Sequence, residues 1–208
     1  MQDQVLHRIR EARAIAILRC SDRELGREAL RASIRGGFQV LEVTLSVPGA
    51  LDLVRDFSAD GNLLVGAGTI LTTDQARSAA KAGAKFFVSP VTDPEVIEEA
   101  DRLGCVMIPG CATPTELFQA HAAGAPLQKL FPAPAGGPDW LRAVLAPLPF
   151  LRVIPTNGVD ADNAAAWLAA GAFAVGCVRA LFHPDDLATR SFDSIEQKAR
   201  SLLSAVLD

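Results

Sequence analysis

The chain has 208 residues, 20 Lys and Arg against 24 Asp and Glu for a net charge of -4, and 50% hydrophobic residues. That length and apolar content suit one domain with a sizeable core, and an acidic balance without any basic run excludes the electrostatic footprint of a nucleic-acid binder. No apolar run approaches the roughly 20 residues of a membrane span, and the polar stretch Met1 to Arg13 lacks the apolar centre of a signal peptide, so a soluble, cytoplasmic protein is expected.

Val5 to Ala12 reads as a leading helix. A repeated unit follows: a helical pattern, then Gly or Gly-Ala where a left-handed residue ends the helix, then a short β-rich run. The helix-ending glycines Gly37, Gly83, Gly104, Gly124 and Gly171 fall one or two units apart, each unit being just over twenty residues. Strands are expected over Ala14–Arg19, Val40–Leu45, Leu63–Ala67, Phe86–Ser89, Val106–Pro109, Leu127–Phe131, Arg152–Thr156 and Ala174–Cys177. Amphipathic stretches lie between them, such as Arg23–Arg35, Asp74–Ala82, Asp93–Leu103, Pro114–Ala123 and Asp162–Ala170, several opened by Asp or Thr N-caps. Ser191–Leu207 is a closing helix. Eight alternating units predict an α/β protein: one (β/α)8 TIM barrel over residues 1–208, with the N-terminal helix covering its floor. A doubly wound open sheet is the alternative, but it commonly has fewer strands, and no G-x-G-x-x-G follows the first strand here.

Cys20, Cys105, Cys111 and Cys177 form no C-x-x-C pair and suit the role of small, reduced hydrophobes. His7, His121 and His183 stand at no ligand spacing to one another or to a Cys, so neither a metal site nor a cofactor is expected.

Of the four lysines, only Lys129 sits inside an apolar, strand-like run, Leu127-Gln128-Lys129-Leu130-Phe131-Pro132. A lysine there serves chemistry or a buried ion pair, because desolvation disfavours an ammonium and favours an amine able to attack a carbonyl. Active sites of such barrels lie at the C-terminal ends of the strands. The polar residues there are Arg19 after the first strand, Glu42 and Thr44 in the second, Thr69 after the third, Ser89-Pro90 after the fourth, Lys129 and Phe131 in the sixth, Thr156-Asn157-Gly158 after the seventh, and Gly176 to Arg179 after the eighth. Period-two alternation puts Glu42 with Thr44, and Lys129 with Phe131, on shared faces. A Glu and a Lys facing one interior fit a structural ion pair as well as a catalytic pair. A carboxylate site beside them would favour catalysis, and the fork of Arg19 with the hydroxyls of Thr69 and Thr156 could make one. Each has a plainer use: Arg19 bridging Asp22, Thr69 capping a helix, Thr156 satisfying strand-end backbone.

Seven segments in order resemble one family: Ala16-Ile17-Leu18-Arg19, Leu41-Glu42-Val43-Thr44-Leu45, Val65-Gly66-Ala67-Gly68-Thr69, Val88-Ser89-Pro90, Ile108-Pro109-Gly110-Cys111-Ala112-Thr113-Pro114, Lys129-Leu130-Phe131-Pro132 and Pro155-Thr156-Asn157-Gly158. The chain resembles, over its full length, the class I pyruvate aldolases that act on 2-keto-3-deoxy-6-phosphogluconate (KDPG), its galactonate epimer and 4-hydroxy-2-oxoglutarate (KHG). The resemblance implies a homotrimer of (β/α)8 barrels that takes a keto acid and yields pyruvate and an aldehyde without a metal. Lys129 would be the Schiff-base lysine and Glu42 the general acid and base. Arg19, Thr69 and Thr156 would hold the pyruvyl carboxylate, Phe131 and Pro90 would line the pocket, and Asn157, Gly158, Gly176 and Arg179 would face the distal end of the substrate.

The chain departs from that pattern in two places. Ser46 stands where some relatives carry an arginine. At the family's phosphate cradle of paired glycines and Gly-Ser, this chain has Asn157 for one glycine and Val178-Arg179 for Gly-Ser. Valine narrows the room for backbone approach to an anion, while Arg179 adds a forked cation. Arg179 therefore suits a phosphate or the distal carboxylate of a dicarboxylate, or else a surface pair with Asp185 or Asp186. An oxaloacetate decarboxylase using the same iminium, a sugar-acid-binding barrel without chemistry, and a phosphosugar isomerase or synthase barrel are the competing functions.

Overall fold

The computed structural model describes residues 1–207. Helices and parallel strands alternate as α1 (Gln2–Ala12), β1 (Ala14–Leu18), α2 (Arg23–Arg35), β2 (Val40–Thr44), α3 (Ala50–Ser58), β3 (Leu64–Gly68), α4 (Thr73–Lys81), β4 (Phe86–Val88), α5 (Pro94–Arg102), β5 (Val106–Ile108), β6 (Gly110–Cys111), α6 (Pro114–Ala122), β7 (Gln128–Leu130), α7 (Gly137–Leu145), β8 (Val153–Pro155), α8 (Ala164–Ala169), β9 (Val175–Cys177), α9 (Pro184–Ala188) and α10 (Phe192–Leu207). Among the described residues no helix is long and apolar enough to cross a membrane.

The strands build a parallel six-stranded half-barrel, ordered β5-β4-β3-β2-β1-β9, and a parallel three-stranded sheet, β6-β7-β8. This corrects the expectation of one continuous eight-stranded sheet in two respects. The strand expected over Val106–Pro109 breaks at Pro109, which has no N–H for a ladder, and pairing resumes at Gly110 opposite Lys129. At the other seam, β8 and β9 are joined by the isolated bridge Thr156–Gly176.

Among the described residues, side-chain capping marks the start of half of the ten helices. Asp22 accepts from the Leu25 N–H at 2.7 Å to open α2, Asp93 accepts from Glu95 to open α5, and Thr113 with Glu116 forms a reciprocal capping box on α6. Glycines end them at positive φ, Gly37 at 111° and Gly124 at 96°.

Alternation along each strand divides the core in two. Ile15 and Ile17 of β1, Val40 of β2, Leu64, Phe86, Val106, Ile154 and Leu127 join one inner cluster with Val5 and Ile9 of α1. Their neighbours Ala16, Leu18, Leu41, Val43, Leu130 and Val153 face the helices in a second cluster. The inner residues nearest each strand's start are apolar, and two positions on along the same face come the polar ones: Ile17 then Arg19, Val40 then Glu42, Leu127 then Lys129, Ile154 then Thr156. An apolar floor under a polar top is thus written into the strands.

Glu99 of α5 is buried among the helices and accepts from Arg77 of α4 and from Arg102, each at 2.9 Å. Those hydrogen bonds, Arg102 foremost, bring its carboxyl from 4.5 down to about 2. A carboxylate with a depressed pKa in the folded state contributes stability above its unfolded value and loses it as pH falls through the folded one. Glu99→Gln is therefore expected to lower the melting temperature at neutral pH, with the gap to wild type closing between about pH 4.5 and about pH 2. A gap that persists at pH 2 in thermal melts would contradict the assignment.

Candidate active site

Arg19, Glu42, Thr69, Pro90, Lys129, Phe131, Thr156, Asn157 and Arg179 line one cleft of about 230 Å³ at the C-terminal ends of the strands. Strand register explains the convergence: Ile17 stands opposite Glu42, Thr44 opposite Gly68, and Gly110 opposite Lys129. Lys129 is 9% exposed, Glu42 1% and Thr156 1%, so the centre of the cleft is shielded from bulk solvent while its rim, with Arg19 and Arg179, is open.

Lys129 Nζ lies 5.0 Å from the centroid of the Phe131 ring, close enough for a cation–π attraction that holds the amine over one face. Among the described residues no ion pair joins Lys129 to Glu42, and Glu42 Oε2 is buried with no hydrogen-bond partner. A pair built for stability would close that contact. Burial raises the Glu42 carboxyl above 4.5, and the charges of Lys129 and Arg19 pull it back only in part. A buried acid near an amine but not paired with it could exchange protons with a third group placed between them.

Gly68 is required beside Glu42, since a Cβ there would lie 1.9 Å from Oε1. Thr44, on the same face, donates to the Leu18 carbonyl at 3.0 Å and meets Ser46 at 2.9 Å, which ties β2 to β1 just above the carboxylate.

Arg19 does not bridge Asp22, whose carboxylate caps α2. Its guanidinium instead reaches the Thr69 hydroxyl at 3.5 Å. Thr69 caps no helix, that task falling to Thr72 one turn on. Its φ is +61°, an uncommon conformation for a β-branched residue that costs on the order of 1–3 kcal/mol and is seen at ligand sites. Asn157 holds φ +64°, a left-handed turn that asparagine adopts more readily than most residues.

Gly158 and Gly176 do not line the cleft. Gly176 lies beneath Thr156, where a Cβ would meet Oγ1 at 2.5 Å, so it makes room for that side chain. Gly158, at φ +103°, continues the turn begun by Asn157. Arg179 makes no ion pair among the described residues: Asp186 is taken by Lys198 and Asp185 sits beside His183. Its guanidinium is left to the cleft. Thr44 lines the cleft as its alternation with Glu42 predicts, and so do Val178 and Ile17; Ile17 could have been found by stepping back two residues from Arg19.

The model of the "KDPG and KHG aldolase" family matches residues 5–198. The 2-dehydro-3-deoxy-6-phosphogalactonate aldolase of Escherichia coli K12 is 34% identical over 92% of this chain and 93% of its own length. The KHG/KDPG aldolase of the same organism is 34% identical over 82% of this chain and 81% of its own. The structure of KDPG aldolase from Legionella pneumophila, with pyruvate captured as a covalent carbinolamine, superposes with a TM-score of 0.86 at 26% identity, covering 97% of this chain and 98% of that one. With the family model spanning residues 5–198 and a 34% identical relative covered over nearly its whole length, the chain belongs to the KDPG and KHG aldolase family of lyases.

Proposed function

We propose that the protein is a class I aldolase that cleaves a 2-keto-4-hydroxy acid to pyruvate and an aldehyde through a Schiff base on Lys129. The observation that carries this is the buried Lys129 amine set near, but not bonded to, the partnerless oxygen of Glu42. The covalent pyruvate carbinolamine of the Legionella relative supports it.

The Lys129 amine attacks the C2 ketone, and Glu42 moves protons through a water as the carbinolamine loses water to an iminium. Glu42 then accepts the C4 hydroxyl proton while the C3–C4 bond breaks, the electron pair running into the iminium to leave an enamine. The aldehyde departs, C3 is protonated, and water releases pyruvate and the amine. The iminium is the electron sink of this scheme. Arg19, Thr69 and Thr156 hold the pyruvyl carboxylate, and Arg179 at the rim takes the distal anion.

The same reading includes a closed (β/α)8 barrel, one domain over residues 1–208, assembled as a cytoplasmic homotrimer in line with the family resemblance. The Thr156–Gly176 bridge and an inner cluster that draws Leu127 and Ile154 together with Ile15 and Phe86 support closure.

Pyruvate release from KDPG, its galactonate epimer and 4-hydroxy-2-oxoglutarate, followed by lactate dehydrogenase coupling, tests the function. At least one is expected to be cleaved, and silence on all three would sink the proposal. Arg179→Ala is expected to raise KM for the preferred substrate about tenfold while changing kcat less, since a hydrogen bond to a charged group contributes about 1.5–3 kcal/mol. Unchanged kinetics would remove Arg179 from the site.

A further inference from the structure

A second cleft, of about 470 Å³, adjoins the reaction cleft. The two share Arg19, Val178 and Arg179 as a common wall, so the second cleft lies immediately across that wall from the one over Lys129. Beyond that wall the surfaces are apolar: Leu25 of α2 on one side, Phe182 and Leu187 on the other. Phe182 and Leu187 are almost wholly buried and form a firm base. Of the polar groups on the lining, the Cys20 thiol is turned to the Asp22 carbonyl at 3.2 Å. Apolar walls of this extent beside a few convergent charges are the usual build of a small-molecule site, whose volumes run to about 300–1,000 Å³.

We propose that this second cleft receives the body of an apolar aldehyde, so that the enzyme joins pyruvate to aldehydes bearing a branched alkyl or aryl group. The inference rests on the Schiff-base reading and adds apolar aldehydes to the anion-tailed ones whose distal charge Arg179 takes. Where the family pattern has small residues that let a backbone approach an anion, Val178 here presents an isopropyl group to both clefts. An aldehyde carbonyl placed over the pyruvyl enamine directs its substituent past Val178 and Arg179 toward Leu25 and Phe182. Enamine C3 attacks the aldehyde carbon, forming the C3–C4 bond. The proton that Glu42 removed from C3 as the enamine formed goes to the aldehyde oxygen, which becomes the C4 hydroxyl. One water hydrolyses the iminium and frees Lys129, so pyruvate and aldehyde combine without loss of atoms.

The test is aldol addition of pyruvate to 3-methylbutanal and, separately, to glyoxylate, by wild type and by two variants that fill the cleft from opposite rims. Ala188→Trp and Ser21→Phe both change exposed positions, where folding tolerates bulk. Wild type is expected to add 3-methylbutanal, and the ratio of kcat/KM for 3-methylbutanal to that for glyoxylate is expected to fall at least tenfold in each variant, about 1.4 kcal/mol. A folded variant with an unchanged ratio overturns the inference, and a changed oligomeric state beside an unchanged ratio assigns the cleft to contact between copies instead. If wild type adds glyoxylate but not 3-methylbutanal, the inference alone fails. If neither aldehyde reacts and borohydride traps no pyruvate, the Schiff-base reading fails and this inference with it.

Discussion

Replacing Lys129 with alanine is expected to abolish pyruvate formation, a loss on the order of 10⁴-fold or more, as when a covalent nucleophile is removed from other enzymes. Borohydride reduction in the presence of pyruvate is expected to leave a stable pyruvyl adduct on the Lys129 peptide of the wild type and none on the variant. Lys129→Arg sharpens the test. It keeps a cation near Glu42, preserving the Coulomb partner that a structural role would need, but a guanidinium forms no Schiff base. If Lys129 were an ion-pair partner only, the arginine variant would keep activity and the alanine variant would be mainly unstable. If it is the nucleophile, both are silent and the arginine variant remains folded. An unlabelled wild type, under conditions that label a known pyruvate aldolase, would return Lys129 to a packing role.

Much of this site could be read from the strands themselves. Lys129 is two residues beyond Leu127 on an inward face, and Glu42 two beyond Val40, so alternation alone places both in one interior. Less visible was anything that depends on backbone shape or on distant partners. The left-handed turn at Thr69 has no signature in a threonine, and the strand break at Pro109 matters only because of what pairs on either side. α3 and α7 carry little start signal in the sequence, since Gly49 and Gly136 open these helices with no side-chain cap. α9 is not among the expected elements, and its position frees Arg179, since Asp186 turns to Lys198 on α10 across the fold. Gly176 looked like part of an anion cradle, but the Thr156 hydroxyl occupies the space above it.

Glu42→Gln is expected to lower kcat by about 10²–10⁴-fold, the usual worth of a positioned general acid and base. Its amide keeps the shape and the burial, so KM for the keto acid should move far less. Cleavage needs Glu42 as a carboxylate to take the C4 hydroxyl proton. The wild-type rate should therefore fall as pH drops through a limb lying above 4.5, because burial has raised this carboxyl, and that limb should vanish in the variant. Stability is expected to move the other way. An acid whose folded pKa is raised favours folding while protonated and loses that advantage as pH rises through the folded value. Once pH exceeds that raised value, an ionised Glu42, with Oε2 buried and partnerless, works against the fold. Glutamine removes the charge, so its melting temperature should equal or exceed that of wild type at pH 7 and fall below it only under acid. A variant that is both fully active and less stable at pH 7 would make Glu42 a structural residue and leave the proton transfers to another group.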